Sequence, residues 1–167
     1  FRFAPDWQAV ADRKGYRWTC DPSDMPRFAD HWDIIEKADA EHPFRLATSP
    51  ARAFLNSSFN QTAGSLRREG EPSVFIHPED AARLGIVDGD AVTLGNRRGS
   101  VELTAQLHTG LPTGVLIAEG LHRNGAHRGG RGINMLTSAA PAPPFGGAPF
   151  HDAAVWIRPA EQAPLSP

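Results

Sequence analysis

The stretch 74–119, VFIHPEDAARLGIVDGDAVTLGNRRGSVELTAQLHTGLPTGVLIAE, constrains this chain more than any other, because all its local signals agree. Val74 to Ile76 is a short run of β-branched and aromatic residues and reads as a buried strand. His77-Pro78-Glu79-Asp80 opens a helix. Pro78 suits the first helical position, where its missing N–H leaves no bond unmade, and two acids stand at the positive end of the helix dipole. Gly85 ends the helix after little more than two turns, as a left-handed C-terminal glycine does. Asp88-Gly89-Asp90 is a turn, Ala91 to Gly95 a strand, Asn96-Arg97-Arg98-Gly99 a hairpin loop, and Ser100 to Leu107 a second strand. There Val101, Leu103, Ala105 and Leu107 alternate with Ser100, Glu102, Thr104 and Gln106, so the first set faces a core. A turn over Gly110 to Gly114 leads into another buried strand, Val115 to Ala118.

The flanks extend the same pattern. Phe44, Leu46 and Thr48 alternate with Arg45 and Ala47, a strand that Ser49-Pro50 breaks. The following ARAFLNSSF, 51–59, presents Arg52, Asn56, Ser57 and Ser58, and AGSLRRE, 63–69, makes a turn of helix before Gly70. AAVWIR, 153–158, is a closing strand. About six strands, two short helices, glycine-rich turns and long crossovers predict a mainly β fold, a small mixed barrel rather than a sandwich or a βαβ sheet. Gly120 to His151 reads as a structureless connection, and one this long inside a compact domain tends to carry function. Residues 1–42 read as a connector from a preceding domain, with the alternative of a small helical cap on the barrel; ADHWDIIEKADA, 29–40, holds a short helix. The barrel domain is expected over 43–158 and a tail over 159–167.

Bulk properties exclude more than they select. A formal net charge of −2 gives no electrostatic reason to expect nucleic acid or an anionic membrane as partner. No apolar run approaches the roughly 20 residues that span a bilayer. The chain opens FRFAPDW, without an initiator methionine or signal peptide. It therefore reads as a fragment of a larger protein, expected in the cytoplasm. Its single cysteine, Cys20, forms neither an internal disulfide nor a thiolate cluster and reads as a free thiol.

Several motifs could carry chemistry. HRGGRG, 127–132, offers guanidinium groups and exposed backbone N–H groups to a phosphate; the spacing is not that of a P-loop, and a plain flexible loop is the competing reading. One RGG-like run without a basic, aromatic-interleaved context does not indicate RNA. Asn134 and Thr137 in INMLTS can read a heterocycle edge or cap a turn. Seven histidines include His122, His127 and His151, yet no HExxH or CxxC spacing appears, so no protein-ligated metal is expected. Ser57 or Ser58 beside a histidine would suit a hydrolase, but no GxSxG elbow is present.

In combination these residues resemble a known family. SVFIHPEDAARLGIVDGDAVTLGNRRGSVELTAQL closely resembles the C-terminal domain of the molybdopterin oxidoreductases, the dimethyl sulfoxide reductase superfamily. Thr48-Ser49-Pro50-Ala51-Arg52 with Asn56-Ser57-Ser58-Phe59 is similar to that family's entry strand and loop. Gly132 to Ser138 is similar to its N-x-L-T loop, and Phe150-His151-Asp152 to the segment before its last strand. The resemblance covers about 43–158. It implies a six-stranded double-psi β-barrel with short helices and long loops. It also implies a domain that closes over bis(molybdopterin guanine dinucleotide) in a molybdenum or tungsten enzyme. One contact cluster is then Thr48, Pro50, Arg52, Asn56, Ser57 and Ser58. A second is Asn134 and Thr137 with His151 near, and Arg123, Arg128 and Arg131 are phosphate candidates. The family's iron–sulfur cysteines and metal-ligating residue have no counterpart here, so no catalytic residue is assigned and the fragment alone is not expected to turn over substrate. The expected partners are the preceding domains and the parent enzyme's small-molecule redox substrate. A non-catalytic double-psi barrel serving protein interaction is the alternative.

Overall fold

The computed structural model describes residues 6–19, 21, 35–142 and 147–160. They fall into two compact units. One holds the segment 141–147, with an isolated bridge between Ala142 and Gly147, and helix α1, Trp7–Lys14. That helix was not expected from the aromatic-rich N-terminal sequence, yet its ends are specified by single residues. The Asp6 carboxylate accepts from the Ala9 N–H at 3.0 Å, and Gly15 closes the helix at φ 69°. The helix expected over 29–40 is not formed over Ile35–Ala40, and its first half lies outside the described residues, as do Cys20 and the tail from 161.

The second unit holds the barrel. Its strands are β1 Phe44–Ser49, β2 Ser73–Ile76, β3 Ala91–Asn96, β4 Gly99–Leu107, β5 Val115–Glu119 and β6 Ala153–Pro159. They close in the order β1-β5-β2-β4-β3-β6. β1 runs parallel to β5 and β2 parallel to β4; every other pairing is antiparallel. This is the mainly β, six-stranded barrel that the sequence predicts. Alternation places Leu46, Val74, Ile76, Val92, Leu94, Val101, Leu103, Ala105, Leu116, Val155 and Ile157 inside. Two details differ from expectation. Leu107 is 38% exposed: β4 runs past the end of β3, whose ladder stops at Thr104, and the Asp88 carboxylate accepts from the Leu107 N–H at 2.7 Å. β5 is buried on one face, through Leu116 and Ala118, rather than on both.

The short helices bind the barrel's corners. α2, Ala63–Glu69, is longer than the single turn expected. α3, Pro78–Leu84, begins and ends as read, with Gly85 at φ 68°. Its Asp80 does more than face the helix dipole. It is wholly buried, accepts from the Gly114 N–H at 2.7 Å and contacts Arg83. Gly114 in turn accepts from the Arg45 N–H at 2.9 Å, so one carboxylate fastens α3, the β4–β5 turn and the start of β1. The β3–β4 hairpin is tighter than read: Asn96 pairs with Gly99 and leaves a two-residue turn, Arg97-Arg98.

The connection after β5 is not structureless. It carries 3-10 turns at Asn124–Ala126, Arg128–Gly130 and Ile133–Leu136. Ile133 and Leu136 enter the barrel core, which anchors a segment that looks, by its glycines, free to wander.

Candidate functional site

Because β1 and β5 are parallel neighbours, the loops that follow them leave the barrel at the same end. Those loops are 50–62 and 120–140. Gly120 joins them: its N–H donates to the Ser49 carbonyl at 2.8 Å, and its φ is 74°. A Cβ at this position would lie 2.8 Å from the Ala51 Cβ and 3.2 Å from the Phe54 ring. Glycine here meets both a left-handed backbone and a close approach. Further out, the Asn60 side-chain amide, itself buried, donates to the Leu121 carbonyl at 2.8 Å.

Between the two loops lies a cavity of about 440 Å³. Ser57, Asn60 and Gln61 line it from the first loop, and His122, Arg123, Asn124, Ile133 and Asn134 from the second. Of the residues expected to contact a ligand, Ser57, Arg123 and Asn134 are thus brought together. Thr137 donates its hydroxyl to the Asn134 carbonyl at 2.9 Å, fixing the turn that carries Asn134. Asn56 and Ser58 are exposed in a tight turn closed by two hydrogen bonds between Leu55 and Ser58, at 3.1 and 2.8 Å. Pro50, also exposed, directly follows β1.

The remaining expected residues are dispersed. Arg52 lines a neighbouring cavity of about 550 Å³ with Arg68, Glu69, Glu119 and His122, so His122 is a wall common to both cavities. Arg128 faces a small cleft with Glu71, Glu102 and His127, away from Asn134. Arg131 is exposed and lines neither large cavity. His151 meets a member of the first expected cluster: its Nδ1 lies 3.0 Å from the Thr48 hydroxyl. Beside it, Asp152 pairs with the Arg45 Nε at 2.8 Å. Among the described residues, the non-glycine positions with positive φ are Asn56, Phe59 and Asp152, at 51°, 66° and 59°. They cluster on loops that flank this end of the fold, as strained backbone does where geometry serves a ligand.

Electrostatically the second loop is built around two histidines whose charged forms are disfavoured. His127 is buried, with its ring edge-on to His122 at 6.2 Å, and His122 is edge-on to Phe54 at 5.0 Å. Burial depresses the pKa of His122 against the opposing pull of Glu69. Burial, then the neighbouring His122, depresses that of His127, with the Glu102 carbonyl opposing. Sequence reasoning missed Asn60, Gln61 and Asn124, all in the 440 Å³ cavity. Amide-rich runs at 56–61 and 124–134 were visible, but nothing local says which amides face inward. Among the described residues, no three His, Cys, Asp or Glu side chains gather as metal ligands.

A family model described as the molydopterin dinucleotide binding domain matches residues 44–154, from β1 through both loops to the first two residues of β6. The chain belongs to this family. Among curated proteins it is 37% identical over 121 residues to "Probable oxidoreductase YoaE" of Bacillus subtilis, covering 72% of this chain and 18% of that protein. It is 29% identical over 141 residues to dimethyl sulfoxide reductase DmsA of Escherichia coli, covering 82% and 17%. The chain thus spans about a fifth of the length of these relatives. Among solved structures, acetylene hydratase from Pelobacter acetylenicus shares the fold, with a TM-score of 0.65, 17% identity, and coverage of 91% of this chain and 23% of that one. As a molydopterin dinucleotide binding domain, the chain takes molybdopterin guanine dinucleotide as its cofactor. The donor set of the cavity suits that group. The Arg123 guanidinium matches a diphosphate, and the amides of Asn60, Gln61, Asn124 and Asn134 offer both donors and acceptors to a heterocycle.

Proposed function

We propose that the loops 50–62 and 120–140 hold the dinucleotide part of the cofactor between them, in a larger molybdenum or tungsten oxidoreductase of which this chain is one domain. The observation that carries this reading is the meeting of Ser57, Asn60, Arg123 and Asn134, far apart in sequence, around one 440 Å³ cavity. When bound, the cofactor supplies two-electron chemistry at its metal. This chain's own residues bind and orient it. Arg123 offers a diphosphate its charge, Asn134 and Asn124 offer amide edges to the base, and Ser57 and Gln61 line the opposite wall. Thr48 holds His151 beside the end of β1, and Asn56, Ser58 and Pro50 form the outer rim of the first loop. The earlier domains of the parent enzyme supply the rest of the enclosure and the site for a small redox substrate. Their existence is supported by relatives several times longer than this chain.

Titration of the chain with guanosine diphosphate, followed by amide chemical shifts, tests the site. The shifts are expected at residues 57–61 and 122–134 and are expected to vanish in Arg123→Ala and Asn134→Ala. Shifts confined to the Arg128 cleft would refute the assignment.

A further inference from the structure

The 3-10 turn that carries Asn134 ends at Leu136, whose side chain is wholly buried. Its carbonyl accepts two hydrogen bonds from the β3–β4 hairpin: one from the Asn96 Nδ2 and one from the Arg98 Nε, both at 2.9 Å. Both lone pairs of that oxygen are therefore used. Arg98 has a second engagement. Its Nη1 lies 2.7 Å from the Glu36 Oε1 and its Nη2 3.0 Å from the Glu36 Oε2, a two-pronged pairing. The same Glu36 Oε2 accepts from the Ala154 N–H on β6 at 2.9 Å. Burial pushes the Glu36 carboxyl up, but the bonds from Arg98 and Ala154 outweigh it and hold the group below its ordinary value. The Arg98–Glu36 pair thus connects the β3–β4 hairpin and the loop bearing Asn134, through Arg98, with the segment before β1 and the closing strand, through Glu36.

We infer that Arg98 is a positioning residue for the cofactor site, holding the Ile133–Thr137 turn in register through the Leu136 carbonyl while Glu36 holds Arg98. The inference rests on the reading of Asn134 as a cofactor contact. Only a planar fork can meet a carbonyl through Nε and a carboxylate through both Nη atoms at once, so lysine cannot replace it. The adjacent Arg97 makes no such bridge: among the described residues it meets the exposed Asp39 and Glu41, both at 3.4 Å.

Amide hydrogen exchange and guanosine diphosphate titration on the full 167-residue chain test this together. The amides of Met135 and Thr137, bonded to Gly132 and Asn134, report the turn. In Arg98→Ala and Arg98→Lys they are expected to exchange roughly tenfold faster or more, the change that follows loss of a charge-assisted hydrogen bond. The Val92 and Val101 amides are expected to keep their protection, and Arg97→Ala to behave as the parent. Glu36→Gln, which keeps an acceptor for Ala154, is expected to fall between, and it and Arg98→Lys carry the test should Arg98→Ala fail to fold. Nucleotide affinity is expected to drop in Arg98→Ala as in Asn134→Ala. Unchanged exchange at Met135 and Thr137 overturns the inference whatever the nucleotide does. Faster exchange, with affinity lost in Asn134→Ala and retained in Arg98→Ala, overturns it and leaves the site reading standing. Affinity retained in Asn134→Ala sinks the site reading instead, and faster exchange in Arg98→Ala would then still support the hold on the turn.

Discussion

The segment 74–119 and the two loops that flank it solve the same problem by opposite means. From β2 to β5 the polar backbone is satisfied mostly by strand ladders and helix turns, and the side chains alternate between core and solvent. The backbone of the flanking loops is held by side chains across long stretches of chain, partly from within those loops and partly from the β3–β4 hairpin: Asn60 to Leu121, and Asn96 and Arg98 to Leu136. The first region is specified by periodicity, the second by individual amides and charges. On the proposed reading of the site, stability and ligand placement rest largely on separate residues, and substitutions should separate them.

The largest effect is expected in the first region. Ile76→Ala removes a wholly buried side chain from β2 and should lower unfolding free energy by about 2–5 kcal/mol, read from urea denaturation. A smaller loss would mean that the barrel relaxes around the cavity and is less rigid than its alternation implies. Gly120→Ala comes next and breaks the division on purpose. With its positive φ and the nearby Ala51 Cβ, it should cost about 1–3 kcal/mol and also abolish nucleotide shifts, since both loops must move apart. The response between neutral and mildly acid pH should come from the second loop. Burial depresses the His127 pKa, so the folded state binds fewer protons than the unfolded chain. Its contribution is fully present above the ordinary histidine value and is lost as pH falls through that value toward the depressed one. Thermal melts from neutral to mildly acid pH should show this loss in the parent chain and less of it in His127→Phe; equal slopes would remove the histidine from the account. Smallest in stability is Asn134→Ala, an exposed substitution expected to shift unfolding by no more than about 0.5 kcal/mol while weakening nucleotide binding.

What could be read in advance follows the same division. Strands, helix α3 and its glycine cap were legible because each depends on neighbours two to four residues apart; the barrel followed from the number of strands and the turns and crossovers that join them. Asp80 stood in the recognised motif, yet its partner Gly114 lies in a distant turn, so its role as a fastener was not legible. Helix α1 escaped because it is short and marked mainly by its two caps. The connection after β5 looked structureless because its order comes from Ile133 and Leu136 entering a core that periodicity cannot anticipate in so short a run. The site was half legible. Ser57, Arg123 and Asn134 converge, whereas Arg52 and Arg128 face other clefts and His151 pairs with Thr48. Residue type announced each candidate; direction depends on backbone that only the closed barrel sets.

That closure has a consequence for biosynthesis. β1 is translated first among the strands, but both its neighbours, β5 and β6, are among the last. Until Pro159 has emerged from the ribosome, the nascent chain carries β1 and β3 with open edges, and β6 must arrive to cover both. A translation stall or premature stop before Ala153 should leave a sticky intermediate that depends on chaperones, rather than a smaller working barrel.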